Sequence, residues 1–343
     1  NRRGMVADLL IGTGWPFGGE FVATGQINQR METVCSAVTG PSECVVDAEK
    51  LARESEIDLA CVREPPKLTF LRLIPENVES ISQCIDVMPK DPRSGPVHVS
   101  IPGGSYMLAA GIRLRGTRSV SHGAPGGSGP VMDHFDADVV RTMLDRISDR
   151  LNDVLPGGMG RHIRAMFCDS MELAGADWTD DMPAQFRHRR GYDLAPYMPF
   201  VFPPIWREYP QVAGGEDFRD TVRRARYDFI RTLFELYRER FLETVRDWCH
   251  EHGMLFRYQA YGSPWLMDMP ADYLVPDIPE SNNWLYLRVS PYEHGYWPWN
   301  LYAASAGRMM GRSIVSTEAM TNVHGVYKAD LSDIKRADDE NFV

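Results

Sequence analysis

Apolar and polar positions alternate along this chain in two distinct ways. Short apolar runs end abruptly in carboxylates, and longer stretches repeat their apolar residues every three or four positions. The first kind is exemplified by Ile163-Arg-Ala-Met-Phe-Cys-Asp-Ser-Met-Glu172. An apolar run of this length reads as a strand buried on both faces, and the acidic residues after it lie where α/β folds carry their chemistry. Asp169 and Glu172 could equally cap the next helix, a choice this stretch alone leaves open. Met5–Gly12 predicts an earlier strand. Leu255-Phe-Arg-Tyr-Gln-Ala-Tyr-Gly262, Asp277-Ile-Pro-Glu280 and Ser313-Ile-Val-Ser-Thr-Glu318 predict three later ones, the last two with Glu at the strand end. Arg257, Gln259 and Tyr261 alternate, so the period of a strand points all three the same way.

The second pattern predicts helices. Val139, Val140, Met143, Leu144, Ile147 and Leu151 recur at helical spacing after Asp136, a good N-cap. Phe218, Val222, Ala225, Phe229, Leu233, Leu236, Phe241, Val245 and Trp248 predict one long helix over 217–252, closed by Gly253. At 1.5 Å per residue it would run roughly 50 Å, long enough to expect a kink. Helices are also expected over 299–311 and 330–343. Between residues 20 and 120 the pattern changes: short β-like runs such as Leu68–Ile74 and Val97–Ile101 are separated by Pro, Gly and Ser.

Strand and helix alternate after residue 120 with connections too long for hairpins, which requires parallel strands. The expected fold is therefore α/β, a (β/α)8 TIM-type barrel that is incomplete here, with a β-rich insertion after the first strand. Residues 1–20 would start the barrel, 21–120 form the insertion, and 121–343 continue the barrel.

The 343 residues are 43% hydrophobic and carry a net charge of -10, so a sizeable core is possible and no basic face is implied. Nucleic acid is thus not an expected partner. No stretch of 18 apolar residues is present, and no membrane span is expected. Of the six cysteines, none forms a C-x-x-C pair. Cys168 and Cys249 are expected as buried thiols, and the four within 35–84 leave disulfides open. The chain opens on Asn1 and stops inside an expected helix, so a piece of a longer protein is expected.

G-x-G-x-x-G, Walker and G-x-S-x-G patterns are absent, which removes dinucleotide, P-loop and serine-hydrolase readings. Glu172, Glu280 and Glu318 all follow expected strands, and a barrel brings such ends to one rim. Clustered carboxylates suit glycoside hydrolysis or a bound Mg²⁺ or Ca²⁺. Aromatic loops favour sugars: Trp15 and Phe17 lie in Thr13–Gly19, and Trp284, Tyr286, Tyr292, Tyr296, Trp297 and Trp299 lie together. The Trp15–Phe17 loop is equally readable as a plug closing one end of a barrel. A non-catalytic carbohydrate-binding protein stays open, as does a metal-dependent phosphoesterase using His122, His134, His294 and His324, although these show no ligand spacing. Asp133 and His134 precede a helix and are not explained by capping it.

Seven blocks in order carry a resemblance: Trp15–Gly19, Gly129–Asp136, Phe167–Glu172, Arg189–Asp193, Tyr258–Gly262, Asp277–Glu280 and Ser316–Ala319. Together they resemble the α-L-rhamnosidases of glycoside hydrolase family 106. The resemblance implies a calcium-dependent enzyme with further domains that removes terminal α-L-rhamnose from plant or bacterial glycans with inversion, in the periplasm or outside the cell. It implies Glu172 as general acid, Glu318 as the base that activates water, and Glu280 as a metal or sugar ligand. Trp15, Asp133, His134, Asp169, Arg257, Gln259 and Tyr261 are the expected substrate-binding residues. Another sugar specificity is the nearest alternative.

Overall fold

The structure is a computed structural model that describes residues 4–12, 14–55, 57, 59, 62–90, 95–202, 214–261, 268–285, 297–322, 325 and 327–339. Tyr286, Tyr292, Tyr296, His294 and His324 lie outside the described residues, as does the expected turn at 92–94.

Among the described residues the strands are β1 (Asp8–Leu10), β2 (Gln29–Val46), β3 (Lys67–Pro75), β4 (Ile85–Asp86), β5 (Val97–Arg115), β6 (Ala165–Cys168), β7 (Leu255–Gln259), β8 (Ile278–Trp284) and β9 (Ser316–Thr321). They form two sheets, and the chain divides into two compact units.

The first unit comprises Asn1–Phe17, Ala137–Glu172 and Arg238–Val343. Its sheet has the order β1-β6-β7-β8-β9 with every pairing parallel. After β6 each strand lies beside the one that precedes it in sequence, the progression of a barrel wall, and the sheet is compatible with an incomplete (β/α)8 barrel. The two faces differ in character. Met166, Cys168, Phe256 and Tyr258 alternate onto the outer face and are buried. Each such side chain stabilises the unit by about 1.5–3 kcal/mol. Trp248 on the helix Glu243–Glu251 is also buried and donates its indole N–H to Asp145 Oδ1 on the helix Ala137–Asn152 at 2.7 Å, tying those two helices together. The opposite face carries Asp8, Asp169, Arg257, Gln259, Glu280, Asn282, Ser316 and Glu318, by register and by period two.

That polar face corrects the expected strand limits. Glu280 and Glu318 are each the third residue of their strand, and the strands run on to Trp284 and Thr321. The apolar runs end at these residues because the inward face turns polar there. The backbone itself continues as strand.

The second unit comprises Gly18–Asp136 and Leu173–Tyr237. β5 is its central strand, paired antiparallel with β2 along nearly its whole length and with β3 on its other edge. Leu71, Leu73, Val97, Val99, Ile101 and Leu108 belong to one of its buried apolar clusters. A Cβ at Gly111 would lie 2.0 Å from the Phe70 ring, so only glycine lets that ring lie across β5.

The expected helix over 217–252 is interrupted. An α-helix spans Glu216–Tyr237, a π turn spans Arg238–Leu242, and a second α-helix spans Glu243–Glu251. The extra residue in a π turn rotates the apolar stripe, and the boundary between the two units falls at this point. Cys168 and Cys249 are buried free thiols, and Cys35, Cys44 and Cys84 are free as well.

Candidate active site

Five strands of the first unit deliver a chain of hydrogen-bonded charges to one face of the sheet. It starts at Asp8 on β1, which accepts from Arg164 at 2.6 and 2.9 Å and from Arg257 Nη1 at 3.2 Å. These guanidinium groups hold the Asp8 carboxyl below its ordinary range despite its burial. Arg257 lies 4.4 Å over the Phe167 ring and pairs through Nε with Glu280 Oε2. Glu280 is fully buried. Its second oxygen accepts from Gln259 Nε2 at 2.9 Å, and the Tyr273 hydroxyl donates to its backbone carbonyl.

Gln259 links this pair to the next carboxylate. Its Nε2 also donates to Glu318 Oε2 at 2.9 Å, and its Oε1 accepts the Tyr261 hydroxyl at 2.7 Å. Glu318 Oε2 accepts in addition from Asn282 Nδ2 at 2.9 Å, and its Oε1 accepts from Thr321 Oγ1 at 2.6 Å. Thr321 is an odd number of positions from Glu318 and would face away in a regular strand. Met320 takes φ 65°, held by its N–H donating to Asn283 Oδ1 at 2.6 Å. The register shift there turns Thr321 back to the carboxylate.

The two glutamates therefore differ. Glu280 is buried and bonded to a cation. Glu318 is half-buried and held by three neutral donors, with no ion pair among the described residues. Asp169, one residue beyond β6, is pushed up to about 6 by burial and by the charges of Glu318 and Glu280, against the bond from Ser170 N–H to its Oδ1 at 2.7 Å. Burial, followed by the charges of Glu318, Tyr273 and Asp169, raises the Tyr261 hydroxyl. Glu172 is half-buried, four residues past β6.

Trp15 is half-buried and its indole N–H donates to the Ser170 carbonyl, which fastens the first loop to the turn after β6. Phe17 is buried, with its ring 6.2 Å from that of Phe241. Within one loop, then, Phe17 serves packing and Trp15 keeps a partly exposed face beside Ser170.

Asp133 and His134 belong to the second unit, where both are buried. Asp133 accepts from Phe135 N–H at 2.9 Å, Thr179 Oγ1 at 3.0 Å and Gln29 Nε2 at 3.4 Å. His134 Nδ1–H donates to the Met132 carbonyl at 2.9 Å, and burial pushes its pKa down to about 4, so it is neutral at pH 7. Burial pushes Asp133 up to about 7. A carboxyl that keeps its proton in the fold and loses it near 4 when unfolded favours the fold at low pH. That contribution is lost as pH rises through about 7. Melting temperature is accordingly expected to fall between pH 5 and 8. Asp133→Asn, which mimics the protonated acid, is expected to reduce that slope and to stabilise the protein at pH 8 by up to about 4 kcal/mol. Thermal unfolding of both proteins across that range checks this, and an unchanged slope would contradict it.

The residues implied for calcium do not fit a cation at Glu280. Its oxygens are occupied by Arg257, Ser316 and Gln259, and the guanidinium already supplies the positive charge. Among the described residues no group of three or more His, Cys, Asp or Glu is placed to hold a metal ion. No helix among them is long and apolar enough to cross a membrane.

The sequence pattern missed Asn282, Ser316, Thr321 and Asp8 as members of this face. Asn282 stands two residues after Glu280 and Ser316 two before Glu318, so period two applied to the carboxylates themselves would have found both.

A parallel wall with a carboxylate row on one face can serve glycoside hydrolysis, and comparison with known proteins assigns the family. Residues 71–343 match the model of glycoside hydrolase family 106, described as alpha-L-rhamnosidase, and the chain belongs to that family. Six of the seven blocks noted in the sequence fall inside the matched residues. A protein of Formosa agariphila, named "Putative beta-glucuronidase", is 26% identical over 242 residues, covering 68% of this chain and 18% of its own length. The solved structure of a rhamnosidase from Novosphingobium sp. PP1Y superposes with a TM-score of 0.64 at 16% identity, over 99% of this chain and 47% of that one. It shows the shared fold. This chain thus spans less than half of either relative.

Proposed function

We propose that this chain carries the active site of an inverting glycosidase that removes terminal α-L-rhamnose, with Glu318 as the base and Glu172 as the acid. The observation that carries the reading is the state of Glu318. A general base must be ionised, oriented and free to take a proton. Three neutral donors orient this carboxylate, and among the described residues no cation neutralises it. Glu280 is disqualified by its burial and its bond to Arg257. Glu318 would take a proton from water as the water oxygen bonds to the anomeric carbon. Glu172 would give a proton to the departing oxygen as the C–O bond breaks. Asp169, three residues from Glu172 and holding its proton up to about pH 6, would orient that acid and keep negative charge low beside it. Trp15 would offer its ring to the sugar.

The test of the acid uses two substrates. Glu172→Gln in the full-length enzyme is expected to lose roughly 10²–10⁴-fold on a poor alkoxide leaving group. It should lose far less on a dinitrophenyl rhamnoside, whose leaving group needs no proton. Equal losses on both would remove Glu172 from the role.

The name of the Formosa relative supports a second reading, action on a β-glucuronide. Parallel assays with aryl α-L-rhamnoside and aryl β-D-glucuronide separate the two. Turnover of the glucuronide alone would replace rhamnose in the reading and leave the roles of the carboxylates standing.

A further inference from the structure

Gln259 is completely buried, yet it stands between two carboxylates on neighbouring strands. A primary amide has two N–H donors on one nitrogen. Here one goes to Glu280 Oε1 and the other to Glu318 Oε2, both at 2.9 Å. Its oxygen accepts the Tyr261 hydroxyl. Exchanging amide oxygen and nitrogen would set a carbonyl oxygen against two carboxylate oxygens, so the orientation has one solution. No N–H remains to offer a sugar hydroxyl, and no surface of the side chain reaches solvent.

We propose that Gln259 is a positioning residue for hydrolysis. It aims the Glu318 carboxylate and holds it at a fixed separation from Glu280, and it does not bind the sugar. The proposal rests on the reading of Glu318 as base. Glu280 is anchored by Arg257, and Arg257 by Asp8, so Gln259 transmits a rigid reference from β1 and β7 to β9. Asp169 after β6 and Tyr261 after β7 face Glu318, and Glu280 on β8 shares the Gln259 amide with it. Asp169 and Glu280 are acidic, and without Gln259 the Glu318 carboxylate, still held by Asn282 and Thr321, would shift away from them. A displacement near 1 Å at such a group costs about 10²-fold in rate.

The test is a mutant cycle in the full-length enzyme on an aryl α-L-rhamnoside with a good leaving group. Gln259→Ala is expected to lower kcat by roughly 10- to 100-fold with KM within about threefold of the parent. Gln259→Glu keeps the volume but supplies at most one donor in place of two, and it is expected to fall as far. In Glu318→Ala, azide replaces water: a C–N bond forms at the anomeric carbon as the C–O bond to the phenolate breaks, and no base is needed. Adding Gln259→Ala to that variant is expected to leave the azide rate unchanged, because nothing remains to aim. A further loss in that background, a raised KM with normal kcat, or full activity of Gln259→Glu would each overturn the proposal. Hydrolysis by Glu318→Ala at the parental rate without azide is a different result, and it would overturn the base assignment itself.

Discussion

Glu318→Gln is expected to hydrolyse an aryl rhamnoside about 10³-fold more slowly than the parent, within the usual range for removing a positioned base. The substitution is isosteric, and the surroundings accommodate it. The amide oxygen at the Oε2 position still accepts from Gln259 and Asn282, and the amide nitrogen at the Oε1 position can donate to Thr321, whose hydroxyl reverses to accept. The fold and the affinity for substrate are therefore kept while the proton acceptor is lost. Unchanged melting temperature with collapsed kcat is the expected pair of results. A kcat within threefold of the parent would place the base elsewhere.

Arg257→Met is expected to be the most destabilising single change in the site, by about 3–5 kcal/mol, the usual cost of removing one partner from a buried ion pair. Glu280 is buried and Asp8 nearly so, and Arg257 serves both. Without it, the Glu280 carboxylate keeps, among the described residues, the donors of Gln259 and Ser316. Glu280→Gln in the Arg257→Met background is expected to recover much of the loss, because the uncompensated charge is then gone. Urea unfolding of the two variants measures this. Equal instability of single and double variants would show that Arg257 acts through packing on Phe167 instead. Arg257 is expected from the sequence among the substrate-binding residues; in the structure its Nε pairs with Glu280 and its Nη1 with Asp8.

The strands themselves were legible because outward faces of barrel strands are apolar and period two is a strong signal. Arg257, Gln259 and Tyr261 were aligned correctly for that reason. The roles within the alignment were not legible. Sequence spacing cannot show that one amide nitrogen serves two carboxylates, since that depends on the register of β7, β8 and β9. Nor could it distinguish Glu280 from Glu318, which both follow short apolar runs. The difference lies in a long-range partner, Arg257, and in burial. The long helix misled because a single inserted residue in a π turn preserves three- and four-residue spacing on either side. Asp133 and His134 looked chemical because capping did not explain them; in the structure Asp133 joins a buried network with Gln29 and Thr179, distant in sequence, and the buried His134 bonds the Met132 carbonyl.

The central claim is inverting hydrolysis by two opposed carboxylates on this barrel face, and proton NMR of the sugar first released from an aryl α-L-rhamnoside tests it most directly. The account predicts β-L-rhamnose at early times, followed by slow mutarotation to the α anomer. Release of the α anomer first would contradict it, because that outcome requires a covalent glycosyl-enzyme and a nucleophile in place of the base at Glu318.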